Sequence, residues 1–406
     1  MKPSDKVMIK VKRLNLLDIM WYLFFLFLLL GNISEHNIYS DLVLGANIII
    51  CLLVILSYGK IHLSIYFILY VPFIAYHLFL WVSGVAIFAN ITWESLQSVI
   101  LNFVILFLFY NFIIISNDTE RLFKTYIWSS FTSLVIVLYI LKDTLFEGRL
   151  AHAYGEDSIS FIFLGEPVAM ANNGLAMVCA VGFMLSLYYF IKDRKHLYLL
   201  LALAMANGII LTGSRKGIML LTLYFMFLMM LMYSNKKVKI GILSVLAVLT
   251  CYYLVIEIPV LYNIAGERLE AIIQYLLGSQ IYEGSINARA RYAEYGIEEF
   301  GNNPILGKGL GMFKNTYANV TEINYLEMLV SGGVVGLILY YLYTIPLISM
   351  FFKLRNPSKE LIISFLLACS VLLIDFGSVT YYSRKYLLLT VLFFALVHNH
   401  KKCKKV

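Results

Sequence analysis

The sequence predicts an all-α integral membrane protein of about twelve transmembrane helices, on three observations. Twelve apolar runs are each long enough to cross a bilayer, which takes about 17–25 residues. Charge is scarce: across 406 residues the chain is 61% hydrophobic and 14% charged, whereas a soluble domain carries about 25% charged residues. Lysine and arginine alternate from loop to loop as the positive-inside rule requires. We read residues 1–406 as a single polytopic membrane domain with both termini cytoplasmic.

The runs are Leu16–Ile33, Leu42–Tyr58, Ile61–Phe88, Leu96–Ser116, Thr125–Leu141, Asn173–Ile191, Leu197–Leu211, Gly217–Tyr233, Ile240–Ile256, Tyr325–Phe352, Leu361–Val379 and Tyr381–Val397. The first follows a basic N-terminus but lacks a small-residue cleavage site, so it reads as a retained span. The third and tenth are long enough to be tilted or partly interfacial. The last is the weakest. With the N-terminus inside, every inner connection holds a lysine or arginine, ending in the Lys401–Lys405 run. The net charge of +8 is then a topology signal, not a sign of nucleic-acid partners. The five cysteines are scattered, with no spacing for a metal or a disulfide framework.

Two outer connections exceed a turn: 142–172 and the external loop 257–324. Loops this long are usually functional or disordered. In the second, Leu269, Ile272, Ile273 and Leu276 fall at helical spacing, which predicts an amphipathic helix over Glu267–Leu277. Ser285–Phe300 predicts another, ended by Gly301-Asn302-Asn303-Pro304. The glycine-rich turn Gly307-Lys308-Gly309-Leu310-Gly311 follows.

Eleven basic residues fall on the outer side: Lys142, Arg149, Arg215, Lys216, Arg268, Arg289, Arg291, Lys308, Lys314, Arg384 and Lys385. Topology gives no reason for them. Arg215 and Lys216 sit in a tight link between the seventh and eighth runs, at the membrane edge. There they either snorkel to bulk headgroups or meet a lipid phosphate or pyrophosphate, which arginine binds in a bidentate way. Arg289 and Arg291 point about 200° apart on a helix, so only one of them faces a given site. Arg149 opens the first outer connection near His152, a loop histidine with little functional weight.

Among carboxylates, Glu322 stands at the outer edge before the tenth run. It is either a general base for a sugar hydroxyl or a charge suited to a helix N-terminus. Asp375 lies within the eleventh run. An acid there is a functional candidate or a structural partner of Arg384 or Lys385; the structural role is the favoured one. No DxD pair points to a metal-held nucleotide sugar, and no P-loop points to ATP.

Three segments resemble the O-antigen polymerase and O-antigen ligase superfamily of bacterial membrane glycosyltransferases. They are Leu211–Gly217, with Ser214-Arg215-Lys216-Gly217; Arg289–Gly311, an arginine helix followed by Asn303-Pro304-x-x-Gly307-x-Gly309; and Glu322-Ile323-Asn324-Tyr325-Leu326-Glu327 with Gly332-Gly333-Val334-Val335-Gly336. The resemblance implies a GT-C-like helical fold. It also implies inverting, metal-independent transfer of a polyprenyl-pyrophosphate-linked glycan on the outer face of the bacterial plasma membrane, with no cofactor. By position, Arg215 and Arg289 would bind the donor pyrophosphate, helped by Arg149 or Lys216, and Glu322 would act as base. Arg291, Tyr325 and Arg384 join the expected substrate-binding set. Expected partners are lipid-linked glycans, the bilayer, and flippase and chain-length regulator proteins. Ligases of the family commonly have histidine at the place of Glu322 and many polymerases have an acid, which favours a polymerase. A ligase remains the nearer alternative, and a lipid-linked oligosaccharide flippase the one from another class. A flippase would carry its charges in a central cavity and show related halves.

Overall fold

The computed structural model describes residues 15–33, 38–142, 158–163, 165–232, 237–259, 262, 266, 270, 284–354 and 357–403. Arg149, His152, Arg268 and the helix expected over Glu267–Leu277 lie outside the described residues.

Each of the twelve apolar runs coincides with helix. In chain order these are α1 (Leu16–Ile33), α2 (Ile38–Tyr58), α3 (Ile65–Val82), α4 (Ala89–Ser116), α5 (Thr119–Ile140), α6 (Asn172–Asp193), α7 (His196–Thr212), α8 (Arg215–Met232) and α9 (Lys237–Glu257). After the long loop come α10 (Gly284–Asn302), α11 (Met312–Tyr317), α12 (Asn324–Tyr341), α13 (Thr344–Phe352), α14 (Lys359–Ile374) and α15 (Arg384–Cys403). Among the described residues, eight helical segments are long and apolar enough to cross a membrane, with Asn324–Phe352 counted as one. At 17 and 16 residues, α7 and α14 are shorter.

Capping chemistry fixes several ends. Ser64 opens α3 by accepting the Tyr66 N–H, Asp118 opens α5 by accepting the Arg121 N–H, and Ser358 opens α14 by accepting the Leu361 N–H. Short polar acceptors of this kind satisfy donors that the first turn leaves open. Asn117 (φ 46°) and Gly213 (φ 58°) close α4 and α7 in the left-handed conformation, the usual helix stop.

The two long runs are resolved by breaks. The third keeps helix only over α3, with residues 61–64 irregular. The tenth splits into α12 and α13, and α12 is itself broken at Gly333 (φ 62°, ψ −164°). The weak last run is firmly inside: from Leu387 to Val397 of α15 every side chain is buried, packed on α4 and α14. Its low hydropathy reflects charged ends and a protein-facing surface. At the centre stands α6, packed on α5, α7 and α8.

The all-helical expectation needs one amendment. Residues of the first outer connection form an antiparallel hairpin, β1 (Ser158–Phe163) with β2 (Glu166–Ala171), turning at Gly165 (φ 86°) and pairing Ser158 with Ala171. Ser158-Ile159-Ser160-Phe161 alternates polar and apolar side chains, a period-two signal for a strand.

Two polar ends emerge. At one, Arg121 meets Asp18 at 2.7 Å and Lys192 meets Glu360 at 3.0 Å. All four belong to connections or span ends assigned inside. The other end gathers the starts of α6, α8, α12 and α15 and the finish of α14, and it holds Arg215, Lys216, Arg384 and Lys385.

Candidate functional site: a cationic end of the bundle

The site is built on the link between α7 and α8. Gly213 turns the chain and Ser214 starts α8, its hydroxyl accepting the Gly217 N–H and donating to Asn173 Oδ1 at 2.7 Å. This ties the link to the start of α6. Gly217 is compulsory, since a Cβ there would lie 2.6 Å from the Ala176 Cβ. Arg215 and Lys216 are thus the first residues of α8, and both are half-buried. The Lys216 ammonium donates to Ser378 Oγ at 2.8 Å, and its stem crosses Gly377. Arg384 and Lys385 occupy the same position on α15. The Arg384 Nε donates to Asn102 Oδ1 at 2.8 Å, and Lys385 Nζ lies 3.5 Å from where Gly174 would carry a Cβ. The first turns of α6, α8 and α15 contain no acid. Cations at helix N-termini oppose the helix dipole, which favours anions there. The arrangement is therefore shaped for an anion.

Beside it, α10 brings Arg289 against Glu322, Nε to Oε2 at 3.6 Å, with both side chains about one-third exposed. Arg291 is exposed, as the helical spacing required. Glu322 adopts φ 64°, an uncommon conformation for a residue with a Cβ. The residues around it hold it there. The buried Thr321 donates its N–H and hydroxyl to Glu327, which is itself buried. Asn324, fully buried, donates its backbone N–H to the Asp375 carbonyl at 2.8 Å and accepts the Thr380 N–H at 3.0 Å. Its amide donates to the Tyr341 hydroxyl, which donates in turn to Asp375 Oδ2 at 2.7 Å. Thr380 donates its hydroxyl to the other oxygen of Asp375. The partners expected of Asp375 are corrected: they are Tyr341 and Thr380, not Arg384 or Lys385. The α14 run ends at Asp375, and the loop that follows needs these bonds. Tyr325 donates its hydroxyl to the Leu372 carbonyl at 2.8 Å and stacks on Tyr341 at 4.7 Å, so it packs the wall behind Glu322.

The glycine turn mends the break in α12. Lys308 and Gly309 donate their N–H groups to the carbonyls of Val330 and Ser331 at 3.0 and 2.9 Å, and Val334 donates to the Pro304 carbonyl at 2.9 Å. Tyr76 donates to the carbonyls of both Leu306 and Gly332. Irregular backbone inside a membrane bundle is tolerated where protein satisfies it in this way. Lys308 pairs with Glu299 of α10, and Tyr317 donates to the same carboxylate at 2.7 Å. Partial burial pushes the Glu299 carboxyl up. The hydrogen bonds from Lys308 and Tyr317 and the lysine charge outweigh this and hold it below the ordinary carboxylate value. This latch fixes α10, and with it Arg289, over α12.

The structure thus brings Arg215, Lys216, Arg289, Glu322, Tyr325 and Arg384 to one end of the bundle, and leaves Arg291 exposed on α10. Sequence reasoning missed Asn324, Asn102, Asn173 and the Glu299–Lys308 latch. The available signal was asparagine within or at the edge of apolar helices, where an amide without partners is costly.

A multi-pass helical membrane protein with acid and arginine at one end fits a membrane glycosyl-transferring enzyme. Residues 200–341 match the family model described as O-antigen ligase. That stretch runs from α7 to the end of α12 and contains the Ser214–Gly217 link, Arg289, the glycine turn and Glu322. The match, over about a third of the chain, supports the O-antigen ligase/polymerase superfamily. No curated protein and no solved structure matches it.

Proposed function

We propose that the protein is a polysaccharide polymerase that joins polyprenyl-pyrophosphate-linked repeat units on the outer face of the bacterial plasma membrane. The observation that carries this reading is the Arg289–Glu322 pair beside the Arg215–Lys216 start of α8. The donor is the growing chain on its lipid diphosphate, and the acceptor is the non-reducing end of a new lipid-linked repeat. A donor diphosphate seated at the start of α8 draws the Arg289 guanidinium onto itself, which leaves the Glu322 carboxylate to accept the acceptor's hydroxyl proton. The acceptor oxygen then forms a bond to the anomeric carbon from the face opposite the diphosphate. The carbon–oxygen bond to the diphosphate breaks, its electron pair leaves with polyprenyl diphosphate, and the anomeric configuration inverts. Fixed cations stabilise charge that builds on the leaving group without reorganising.

A carboxylate at this position, in place of a ligase's histidine, favours polymerase. The ligase reading keeps support from the description of the matching family model. A flippase is disfavoured because the charges crowd one end and not a central cavity. Within the proposal both termini are cytoplasmic, and flippase and chain-length regulator proteins are partners in the membrane.

Arg215→Ala and Arg289→Ala should each leave the protein inserted but stop chain lengthening, so that single repeats accumulate on lipid. Glu322→Gln should abolish turnover while lipid binding persists. Long chains of normal distribution from all three variants would refute the mechanism. Product found on an acceptor other than the polyprenyl carrier would make the protein a ligase.

A further inference from the structure

We propose that the end of the bundle opposite Glu322 binds one anionic phospholipid, in a groove between α3, α13 and α15. This ligand takes no part in glycan transfer. Chain direction brings the three helices together there. α15 starts at the cationic end and finishes at the other, and so does α13, which continues from α12. α3 runs the opposite way, because its Tyr76 reaches the break in α12, and it starts where the other two finish.

The groove holds about 380 Å³, within the range of about 300–1,000 Å³ for ligand pockets. On α15 it is lined by Phe394, Val397, His398 and Lys401. Their spacing of i, i+3, i+4 and i+7 makes them one stripe of the helix. From Lys401 to Phe394 the stripe descends about 10 Å at 1.5 Å per residue. Pro346 and Met350 line the groove from α13, and Ser64 and Ile65 from the start of α3. The cation and imidazole therefore stand at the mouth, and apolar side chains form the floor. The His62 ring lies 4.8 Å from the His398 ring and adds a second imidazole beside the mouth. At the rim Leu63 and Ile65 are 60% and 38% exposed, so the groove opens sideways to the acyl chains of the bilayer.

Charge decides the ligand. α3, α13 and α15 contain no aspartate or glutamate. At the same end Asp18, Glu120 and Glu360 pair with Arg121, Lys124 and Lys192. The larger groove beside α1 and α5 shows the contrast, since Asp118 and Glu120 line it together with Arg121 and Lys124. Lys401 has no acid on the helices that line its groove. A lysine over an apolar floor suits a phosphate joined to an acyl chain, and basic pockets between helices on the cytoplasmic side hold anionic headgroups. A free phosphate would leave the floor unfilled. The bound lipid braces three helices that lead to the Tyr76 clamp, to α12 and to Arg384.

The test uses the full-length protein in uncharged detergent and counts bound phosphatidylglycerol by native mass spectrometry, with phosphatidylcholine and glycerol 3-phosphate as comparison probes. His398→Gln with Lys401→Gln removes the charge and leaves Lys402, Lys404 and Lys405 to hold the topology. Met350→Trp keeps the charge and fills the floor. The wild type should retain one phosphatidylglycerol more than either groove variant, a difference in affinity of about tenfold or more, the scale of one charge-assisted bond. Its Tm should rise with that lipid, as for any ligand of the folded state, and rise less in the variants. Either variant decides the matter if the other fails to fold. Arg121→Gln with Lys124→Gln, which removes cations already paired at the same end, should bind as wild type does. Wild-type affinity in a folded groove variant would overturn the site, and so would an equal loss in the Arg121 and Lys124 variant. Phosphatidylcholine retained in the same number would also overturn it, since the groove would then be ordinary lipid-facing surface. Displacement of the lipid by glycerol 3-phosphate at equal concentration would overturn the lipid assignment in favour of a soluble phosphate. A dimer that Met350→Trp splits would overturn it in favour of a contact between two copies.

Discussion

Replacing Gly333 with alanine should cost more than any other single methyl added to α12. Gly333 has φ 62° and ψ −164°, a region that side chains other than glycine's hydrogen scarcely enter, at about 1–3 kcal/mol per residue. A Cβ there would also lie 2.2 Å from the Ile305 carbonyl oxygen and 2.3 Å from its carbon. That neighbour is backbone, held by the Val335 N–H, and the adjoining Pro304 carbonyl holds Val334, so it cannot swing aside as a side chain would. Relief means losing some of the three strongest bonds that mend the helix break, each about 1 kcal/mol. Strain and lost bonds together give about 3–5 kcal/mol. Gly336→Ala is the control, because its Cβ would meet nothing closer than 3.5 Å and alanine is favoured in helix by about 1 kcal/mol. Equilibrium unfolding in mixed detergent micelles reads both. A Gly333→Ala protein within about 0.5 kcal/mol of wild type, the ordinary scatter of harmless substitutions, would refute the account of the break.

Other expectations follow from the same geometry. Asn324→Ala strands the N–H groups of Thr380 and Tyr381 and removes the donor to Tyr341; a loss of about 2–4 kcal/mol should appear in the same unfolding assay. Lys308→Met leaves the partly buried Glu299 carboxylate with only the Tyr317 hydroxyl and should cost about 1–3 kcal/mol, and adding Glu299→Leu should recover most of it. The Glu299 carboxyl is held below its ordinary value, so its stabilisation is complete above the unfolded-chain value, about 4.3, and is lost as pH falls through the folded one. Hydrogen exchange in α10 should accelerate at acid pH in wild type and lose that dependence in Glu299→Gln. Arg291→Ala, at an exposed position, should change chain lengthening by less than twofold, within about 0.5 kcal/mol.

The helices were legible because a span buries its own backbone bonds and so declares itself by apolar length alone. The long runs misled for the same reason. Apolar content continues through a break such as Gly333, and only the pair Gly332-Gly333 marks it. The hairpin over residues 158–171 was written in a short alternation beside much stronger helical signals. Within the site, Arg289 and Arg291 were separable by period, and the Ser214–Gly217 link by charge in the wrong place. The Asp375 network was hidden, because Asn324 and Tyr341 come from opposite ends of α12 and Thr380 from the loop after α14, and no local pattern encodes that meeting. The likeness of three short segments to one superfamily gave their order, while the fold explains why the second and third belong together.

The mended break in α12 has a consequence for exchanging parts between relatives. Residues 304–309 complete the hydrogen bonding of residues 330–335, with Gly307 fitted against the N–H groups of Gly332 and Gly333. Loop and helix are therefore one heritable unit. A chimera cut between them would join a turn from one parent to a helix broken for another, whereas cuts before Asn303 and after Tyr343 would carry lock and key together. Across this seam, substitutions must change in pairs.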